Sequence, residues 1–195
     1  MESLLNIYNI CEQSIALGPG KRFVVWVQGC LQNCPGCITP LSRPLNVKNL
    51  IRVNDIAERI VANNDIEGVT ISGGEPFLQA TNLAKLLEIV QKERPELNIL
   101  VYTGYTIEQL TSLKAKTLLK YIDLLIDGPY VDKLNDERGL RGSSNQRFHY
   151  LTNKLKKDSA EIENCGRNNE IIIGTDGTHI IGIPRKDIKT SLINL

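Results

Sequence analysis

Cys30, Cys34 and Cys37 stand close together in one short stretch of the chain. The Pro35-Gly36 pair between two of them favours a loop, because Pro fixes φ and Gly adopts conformations that other residues avoid. Soft thiolates that converge on one centre bind iron–sulfur clusters, zinc or copper(I). A structural zinc ion or a fully ligated cubane usually takes four protein ligands, and the local count stops at three. The spacing therefore predicts a metal centre with one open position, where chemistry can occur.

Two other interpretations of these cysteines stay open from the residues alone, a structural zinc knuckle and a set of buried thiols. Cys11 and Cys165 lie far from the loop in sequence. Either could be a fourth ligand, although ordinary buried or exposed thiols are the favoured interpretation. The five cysteines do not predict a disulfide framework, because a reducing cytosol opposes one.

Length and composition favour one globular domain. The chain has 195 residues, of which 42% are hydrophobic, and its net charge of +1 comes from interspersed acids and bases. This balance gives no indication of a nucleic-acid or anionic-membrane partner. No apolar run approaches the roughly 18 residues that span a bilayer, and residues 1–5 lack the basic and apolar parts of a secretion signal. We therefore expect a cytoplasmic protein.

The alternation of strands and helices predicts the fold class. Buried strands are predicted at residues 22–28, 68–71, 98–102 and 122–126, after a weakly alternating first strand at 4–10. Amphipathic helices are predicted at 54–63, around 83–90 and from Thr106, where Gln109 completes a capping-box pattern. Residues 38–52 are expected to be irregular. Strands joined by helices form parallel sheets, and four units are too few for a closed eight-fold barrel. The sequence predicts an α/β fold, an open partial βα barrel.

The C-terminal part has a different pattern. Residues 153–170 are polar and charged, which predicts a solvated loop or surface helix. The apolar runs 171–173 and 179–181 then flank Asp176-Gly177, a strong hairpin signal. We therefore divide the chain into a barrel domain at 1–152 and an extension at 153–195, whose β-hairpin packs on the same domain.

Functional residues of parallel βα folds gather where the strands end. The four predicted strands are followed in turn by the cysteine loop, by Gly73-Gly74-Glu75, by Thr103 and by Asp127. The two glycines allow a ligand to approach the backbone closely, and Glu75 adds a carboxylate. Thr103 and Asp127 suit hydrogen bonds to a ligand, but they suit helix capping and turns equally well. Both interpretations stay open at this point.

The pattern C-x-x-x-C-x-x-C resembles the cluster motif of the radical S-adenosylmethionine enzymes. More narrowly, Gly-Pro-Gly at 18–20, Gln-Gly-Cys at 28–30 and Cys-Pro-Gly-Cys at 34–37 are similar to the activating proteins of anaerobic ribonucleotide reductases. The resemblance runs over residues 5–152 and implies a partial barrel of the radical S-adenosylmethionine type. It also implies that Cys30, Cys34 and Cys37 hold a 4Fe-4S cluster whose fourth iron binds S-adenosylmethionine.

The same resemblance implies positions for the rest of the cofactor. Gly73, Gly74 and Glu75 would receive its amino-acid end, and the backbone around Gly36 and Ile38 would lie against its adenine. The residue after the third cysteine is usually aromatic in these relatives, so Ile38 departs from their pattern.

Further site residues are implied at two more places. Thr103 would bond the carboxylate or ribose of the cofactor, and Asp127 would accept a ribose or ammonium proton. A polar segment similar to one in the activating proteins is implied in the site or in docking a partner; its residues are Arg141, Ser143, Ser144, Asn145 and Gln146.

The function implied by the resemblance is activation of a glycyl-radical enzyme. One electron from a donor such as flavodoxin splits S-adenosylmethionine into methionine and a 5′-deoxyadenosyl radical, which takes a hydrogen atom from a glycine of a large partner enzyme. Two alternatives remain: a radical enzyme that modifies another peptide or a small molecule, and a non-catalytic metal-binding module. The residue at 38 and the C-terminal extension keep the first alternative open.

Overall fold

A computed structural model describes residues 2–174 and 177–185 of the chain. The strands are β1 (Leu4–Ser14), β2 (Arg22–Val27), β3 (Asn49–Arg52), β4 (Gly68–Gly73), β5 (Asn98–Tyr102), β6 (Leu124–Asp127), β7 (Arg147–Tyr150), β8 (Asn169–Gly174) and β9 (Gly177–Gly182). The α-helices are α1 (Val53–Ala62), α2 (Ala80–Glu93), α3 (Leu113–Leu119) and α4 (Ser159–Asn164). Short 3-10 helices lie at Pro40–Ser42, Pro76–Gln79, Ile107–Gln109, Asp132–Leu134 and Lys156–Asp158.

The large sheet has seven strands in the order β3-β1-β2-β4-β5-β6-β7, and β8 pairs with β9 in a separate hairpin. The four central strands β2, β4, β5 and β6 run parallel, and α1, α2 and α3 connect them. β1, β3 and β7 pair antiparallel with their neighbours at the two sides. The structure confirms the predicted α/β class, the open partial barrel and the C-terminal hairpin. The boundary at residue 152 stays a prediction.

The two faces of the central sheet are buried against different parts of the chain. Alternation along β2 sends Phe23, Val25 and Val27 to the face covered by α1, α2 and α3. Val24 and Trp26 point to the opposite face, where they pack in a smaller cluster. The helices therefore cover the outer face, and the inner face is left to loops and to the C-terminal extension.

Some local predictions differ from the structure. The capping box of Thr106 and Gln109 forms, but it closes only a 3-10 turn, and α3 begins at Leu113. The reason is a second cap: the Ser112 hydroxyl accepts a hydrogen bond from the backbone N–H of Ala115, at 3.2 Å. Strand β3 lies in the segment expected to be irregular, and β7 was not predicted. Thr175 and Asp176 of the predicted hairpin turn lie outside the described residues.

No helix within the described ranges combines the length and the apolar character needed to cross a bilayer. The longest, α2, has 14 residues. Its apolar positions all face the core, because they recur at helical spacing: Leu83, Leu86, Leu87 and Val90 are fully buried.

Arg22 ties together the amino ends of the parallel strands. It is fully buried, and its guanidinium donates hydrogen bonds to Thr70 Oγ1, the Asn98 Oδ1 and the carbonyl oxygens of Pro19, Val69 and Asn98, at 2.6–3.2 Å. Burial lowers the pKa of Arg22 to about 10, so the group keeps its charge at neutral pH. Its planar fork therefore holds β2, β4 and β5 at the end of the barrel opposite the cysteine loop.

We expect Arg22→Lys to lower the free energy of unfolding by about 2 kcal/mol, since an ammonium keeps the charge but leaves buried acceptors unpaired. Chemical denaturation of the metal-free chain measures the change. Arg52→Lys is the matched control, because that side chain is 56% exposed and makes only surface ion pairs. Equal stability of the two variants would contradict this account of Arg22.

Candidate active site

The cysteine loop starts where β2 ends, and backbone hydrogen bonds hold its beginning. The N–H of Gly29 donates to the carbonyl of Ser42 at 2.8 Å, and the N–H of Cys30 donates to that of Arg43 at 2.9 Å. Within the loop, the N–H of Cys37 donates to the carbonyl of Cys34 at 3.3 Å. The three thiols therefore sit on irregular backbone at the carboxyl end of the parallel sheet, as the sequence predicts.

Cys30, Cys34 and Cys37 line one cavity together with the loops that follow β4 and β5. The cavity has an empty volume of about 950 Å³, including its open mouth. Nine of the ten residues predicted for the metal and cofactor line it: Cys30, Cys34, Gly36, Cys37, Ile38, Gly73, Gly74, Glu75 and Thr103.

The donor set fits an iron–sulfur cluster with one open iron. Burial raises the pKa of the Cys30 thiol to about 11, so thiolate at this position needs a cationic metal beside it. Within the described ranges, no group of three or more His, Cys, Asp or Glu side chains is arranged around a single metal ion. A cubane does not require such an arrangement, because each thiolate binds a different iron. Cys11 and Cys165 do not line the cavity.

Two residues of the cavity wall each carry a buried polar atom without a hydrogen-bond partner. The hydroxyl of Tyr102 and the Nε of Arg43 are buried, and neither has a hydrogen-bond partner in the described part of the chain. Buried polar groups are normally paired, so a polar ligand that reaches either atom would supply a missing partner. S-adenosylmethionine carries carboxylate, hydroxyl and ring-nitrogen acceptors that suit a phenol and a guanidinium.

Gly73 and Gly74 let two strand ends cross at close range. The φ of Gly73 is +100°, a left-handed conformation that favours glycine. A Cβ on Gly74 would lie 2.3 Å from the carbonyl oxygen of Gly29, just before the first cysteine. Backbone of the cysteine loop, and not only a ligand, therefore requires glycine here. The hydroxyl of Thr39, which donates to the Gly73 carbonyl at 3.1 Å, joins the far end of the same loop to this turn.

Glu75 joins the loops after β4 and β5. Its side chain is buried and accepts hydrogen bonds from the hydroxyl of Thr103 and the backbone N–H groups of Phe77 and Gly104, at 2.8–3.0 Å. Burial raises the pKa of Glu75 to about 7, although these three bonds lower it. Because three of its acceptor positions are used, the carboxylate positions the loops around the cavity and leaves little capacity for a direct ligand contact.

Stability should carry a pH dependence from Glu75. Its pKa in the folded protein is about 7 and the ordinary value is 4.5, so the native state holds this proton more tightly than the unfolded chain. We expect the contribution of Glu75 to fall by roughly 3 kcal/mol as the pH rises from 4.5 to 7 and to level off above that. Denaturation of the wild type and Glu75→Gln across this range measures it, with exposed Glu58→Gln as control. A constant difference between wild type and Glu75→Gln would contradict the assignment.

Asp127 lies outside the cavity, although it ends a parallel strand. Its buried carboxylate accepts a hydrogen bond from the backbone N–H of Ile107 at 2.6 Å and pairs with Arg147, which also pairs with Glu108. Of the two interpretations open from sequence, the geometry favours capping and turn formation over binding of the cofactor. The same preference applies in part to Thr103, because its hydroxyl already donates a hydrogen bond to Glu75.

The polar segment at 141–146 is folded onto its own neighbours. Ser143 is fully buried and its hydroxyl accepts from the Val131 N–H, while Gln146 bonds the backbone of Gly128 and Gly142. The remaining side-chain contacts are internal too: Asn145 donates to the Pro129 carbonyl, and Arg141 pairs with Asp136. Ser143 is fully buried, so its hydroxyl is not available at the surface; the role of this segment in the site or in docking a partner stays a prediction. Gln146 lines the cavity, and Ser144 is exposed.

Sequence reasoning missed several residues of the cavity. Arg43 lies in a segment that was expected to be irregular and carried no motif. Tyr102 is the last residue of β5, so the rule that sites form at strand ends would have found it. Ile183 and Pro184 come from the C-terminal extension, and no sequence signal connects them with the cysteine loop.

Comparison with known proteins agrees with this geometry. The family described as a 4Fe-4S single cluster domain matches residues 16–149. The anaerobic ribonucleoside-triphosphate reductase-activating protein of Enterobacteria phage T4 is 34% identical over 144 residues, which cover 72% of this chain and 90% of the relative. The protein of that name from Salmonella typhi is 35% identical over 146 residues, 70% of this chain and 93% of the relative. The chain belongs to this family of activating proteins.

Membership in the activating-protein family confirms the predicted resemblance and the enzyme class, a radical S-adenosylmethionine enzyme of the activase type. It also confirms the predicted cofactors, a 4Fe-4S cluster and S-adenosylmethionine. Among solved structures, that of QueE from Escherichia coli aligns with 80% of this chain and 68% of its own, at 14% identity and a TM-score of 0.40. This structural similarity is too weak to support an inference about the chain. Which residues of this activating-protein family member hold the cofactors stays a prediction.

Proposed function

We propose that this chain activates an anaerobic ribonucleotide reductase by removing a hydrogen atom from a backbone glycine of that partner. The observation that carries the proposal is that three cysteines and the Gly73-Gly74-Glu75 turn line one cavity in a member of the activating-protein family. When bound, the cluster supplies the electron that splits the carbon–sulfur bond of S-adenosylmethionine. The products are methionine, 5′-deoxyadenosine and a glycyl radical on the partner.

Cys30, Cys34 and Cys37 hold the cluster in this proposal, each through its thiolate. The Gly73-Gly74 backbone receives the amino-acid end of S-adenosylmethionine, and Glu75 keeps that turn in place through Thr103 and the backbone of the next loop. The protein thus contributes orientation, while the cofactors contribute reactivity.

Exclusion of water is the second task of the cavity. The lining combines apolar and polar groups, and the cavity lies at the carboxyl end of the parallel strands. A glycine on a protruding loop of the partner would enter through the open mouth of the cavity.

We propose further that a flavodoxin-like protein supplies the electron, and that the reaction takes place in the cytoplasm, where reducing conditions keep the thiols free.

The test is electron paramagnetic resonance of the partner reductase after anoxic incubation with the reconstituted protein, S-adenosylmethionine and a reductant. We expect a glycine-centred radical that is lost when the radical-bearing glycine of the reductase is replaced by alanine. Formation of 5′-deoxyadenosine without such a radical would support the alternative, a radical enzyme that modifies another peptide or a small molecule. Absence of both would contradict the proposal and leave a metal-binding module.

A further inference from the structure

The C-terminal extension returns to the active-site cavity after leaving the barrel. Residues 150–185 lie beyond the part of the chain that the 4Fe-4S family matches. After α4 and the hairpin, the chain reaches Ile183 and Pro184, which line the cavity together with the three cysteines. A neighbouring cavity is lined by Ile180, Pro184 and residues 33–38 of the cysteine loop. The extension therefore lies against the cysteine loop and forms one of the cavity walls.

Specific contacts fix the extension in this position. Arg167 donates to the side-chain oxygen of Asn135 and the carbonyls of Arg141 and Gly142, at 2.7–3.3 Å. The carboxylate of Glu170 accepts from the Ser14 hydroxyl and the backbone N–H of Ile15. These bonds attach the extension to two separate parts of the barrel.

Apolar packing and a glycine direct residues 183 and 184 to the cavity wall. Ile181 is buried against Val24 and Trp26 on the inner face of the sheet, and Ile183 packs on the same cluster. Between them, Gly182 has a φ of +126°, and a Cβ there would lie 2.5 Å from the carbonyl oxygen of Asn168. The chain can bend at this point only because the residue is glycine.

The walls of the cavity differ in polarity. Around the Gly73-Gly74 turn they present backbone groups and polar side chains, whereas Ile38, Ile183 and Pro184 present aliphatic surface beside the cysteine loop. S-adenosylmethionine has a matching division. Its amino and carboxylate groups are the ones proposed to bind the iron, which leaves its flat base free to contact a wall of the cavity. Of the cavity walls, the aliphatic one suits a purine face.

We propose that Ile183 and Pro184 of the C-terminal extension form one face of the adenine pocket, together with Ile38. This inference rests on the proposed binding of S-adenosylmethionine in the same cavity. Ile38 is aliphatic and 46% exposed, so by itself it would leave much of a bound base in contact with water. Further aliphatic surface removes more of the base from water, and burial of apolar surface is the main gain available to such a group. The extension thus supplies part of the affinity for the nucleoside.

Binding measurements on the reconstituted, cluster-loaded protein under anoxic conditions test the inference. Equilibrium dialysis would compare S-adenosylmethionine with 5′-methylthioadenosine, which keeps the nucleoside but lacks the amino-acid end. We expect Ile183→Asp to weaken both ligands by at least about tenfold, because a carboxylate in the wall cannot pack on a base. Ile173→Asp is the matched control in the same extension, since Ile173 is 82% exposed, and it should leave both affinities unchanged.

Separate outcomes identify which idea fails. If the wild type binds tightly and Ile183→Asp has the same affinities, the proposed role of Ile183 and Pro184 in the adenine pocket is wrong, and the proposed function remains intact. Weaker S-adenosylmethionine binding with unchanged 5′-methylthioadenosine binding would overturn the assignment to the base. Wild-type protein with a full cluster that binds neither ligand would contradict the proposed function itself. Pro184→Gly serves as a second variant because it introduces no charge and is therefore less prone to misfold than Ile183→Asp. It should also weaken the binding of both ligands.

Discussion

Cys37→Ala should lose the cluster signal and reduce 5′-deoxyadenosine formation to background. The thiolate is the ligand that iron requires, and a cubane with two protein ligands has no stable place in this loop. The variant should fold, because Cys37 is only partly buried and its backbone bond to Cys34 does not involve the thiol. Iron content, electron paramagnetic resonance of the reduced protein and chromatography of the nucleoside product measure the effect.

Cys165→Ala provides the matched control. This thiol is also partly buried, but it packs near the C-terminal end of α4 and does not line the cavity. We expect a full cluster and unchanged product formation. A full cluster in Cys37→Ala, or its loss in Cys165→Ala, would contradict the assignment of the ligands.

Gly74→Ala should disturb the site without removing a ligand of the metal. Its new methyl group would lie 2.3 Å from the carbonyl oxygen and 2.9 Å from the nitrogen of Gly29, so backbone on one side must move. The cysteine loop starts at the next residue and would move with it. We expect a loss of about 3 kcal/mol in stability. Product formation should fall on the order of a hundredfold, because small misplacements of reacting groups cost that much.

Gly166→Ala controls for the loss of a glycine as such. A Cβ there meets nothing within 4 Å. The free energy of unfolding should change by less than about 0.5 kcal/mol, and activity should stay at the wild-type level. If Gly74→Ala kept both stability and activity, the close crossing of the two strand ends would have no functional importance.

The central sheet could be predicted from the sequence pattern, because its strands are continuous apolar runs, as buried parallel strands are. The same pattern also predicted the cysteine loop, Gly73-Gly74-Glu75 and Thr103, since strand ends concentrate functional residues. Asp127 shows the limit of that rule. Its carboxylate is taken by Arg147, which lies 20 residues further along the chain, and no local pattern reveals such a pairing.

The C-terminal wall of the cavity lay beyond prediction for a related reason. The hairpin itself follows from Asp176-Gly177 and its apolar flanks, but the place where a hairpin packs is set by long-range contacts. Here those contacts are the bonds of Arg167 and Glu170 and the burial of Ile181, each between residues remote in sequence. Glu75 is similar: the motif marks a carboxylate, and only the fold shows that it connects two loops.

The most direct test of the account is transfer of hydrogen from the partner into the nucleoside. Reductase labelled with deuterium at the α-carbon of its radical-bearing glycine would be incubated with the reconstituted protein, reductant and S-adenosylmethionine. Mass spectrometry then analyses the 5′-deoxyadenosine. We predict one deuterium in the product, in step with the glycyl radical, and none when the protein carries Cys37→Ala. Product without deuterium, formed while the radical appears, would contradict the claim that this cavity delivers the abstracting group to the glycine.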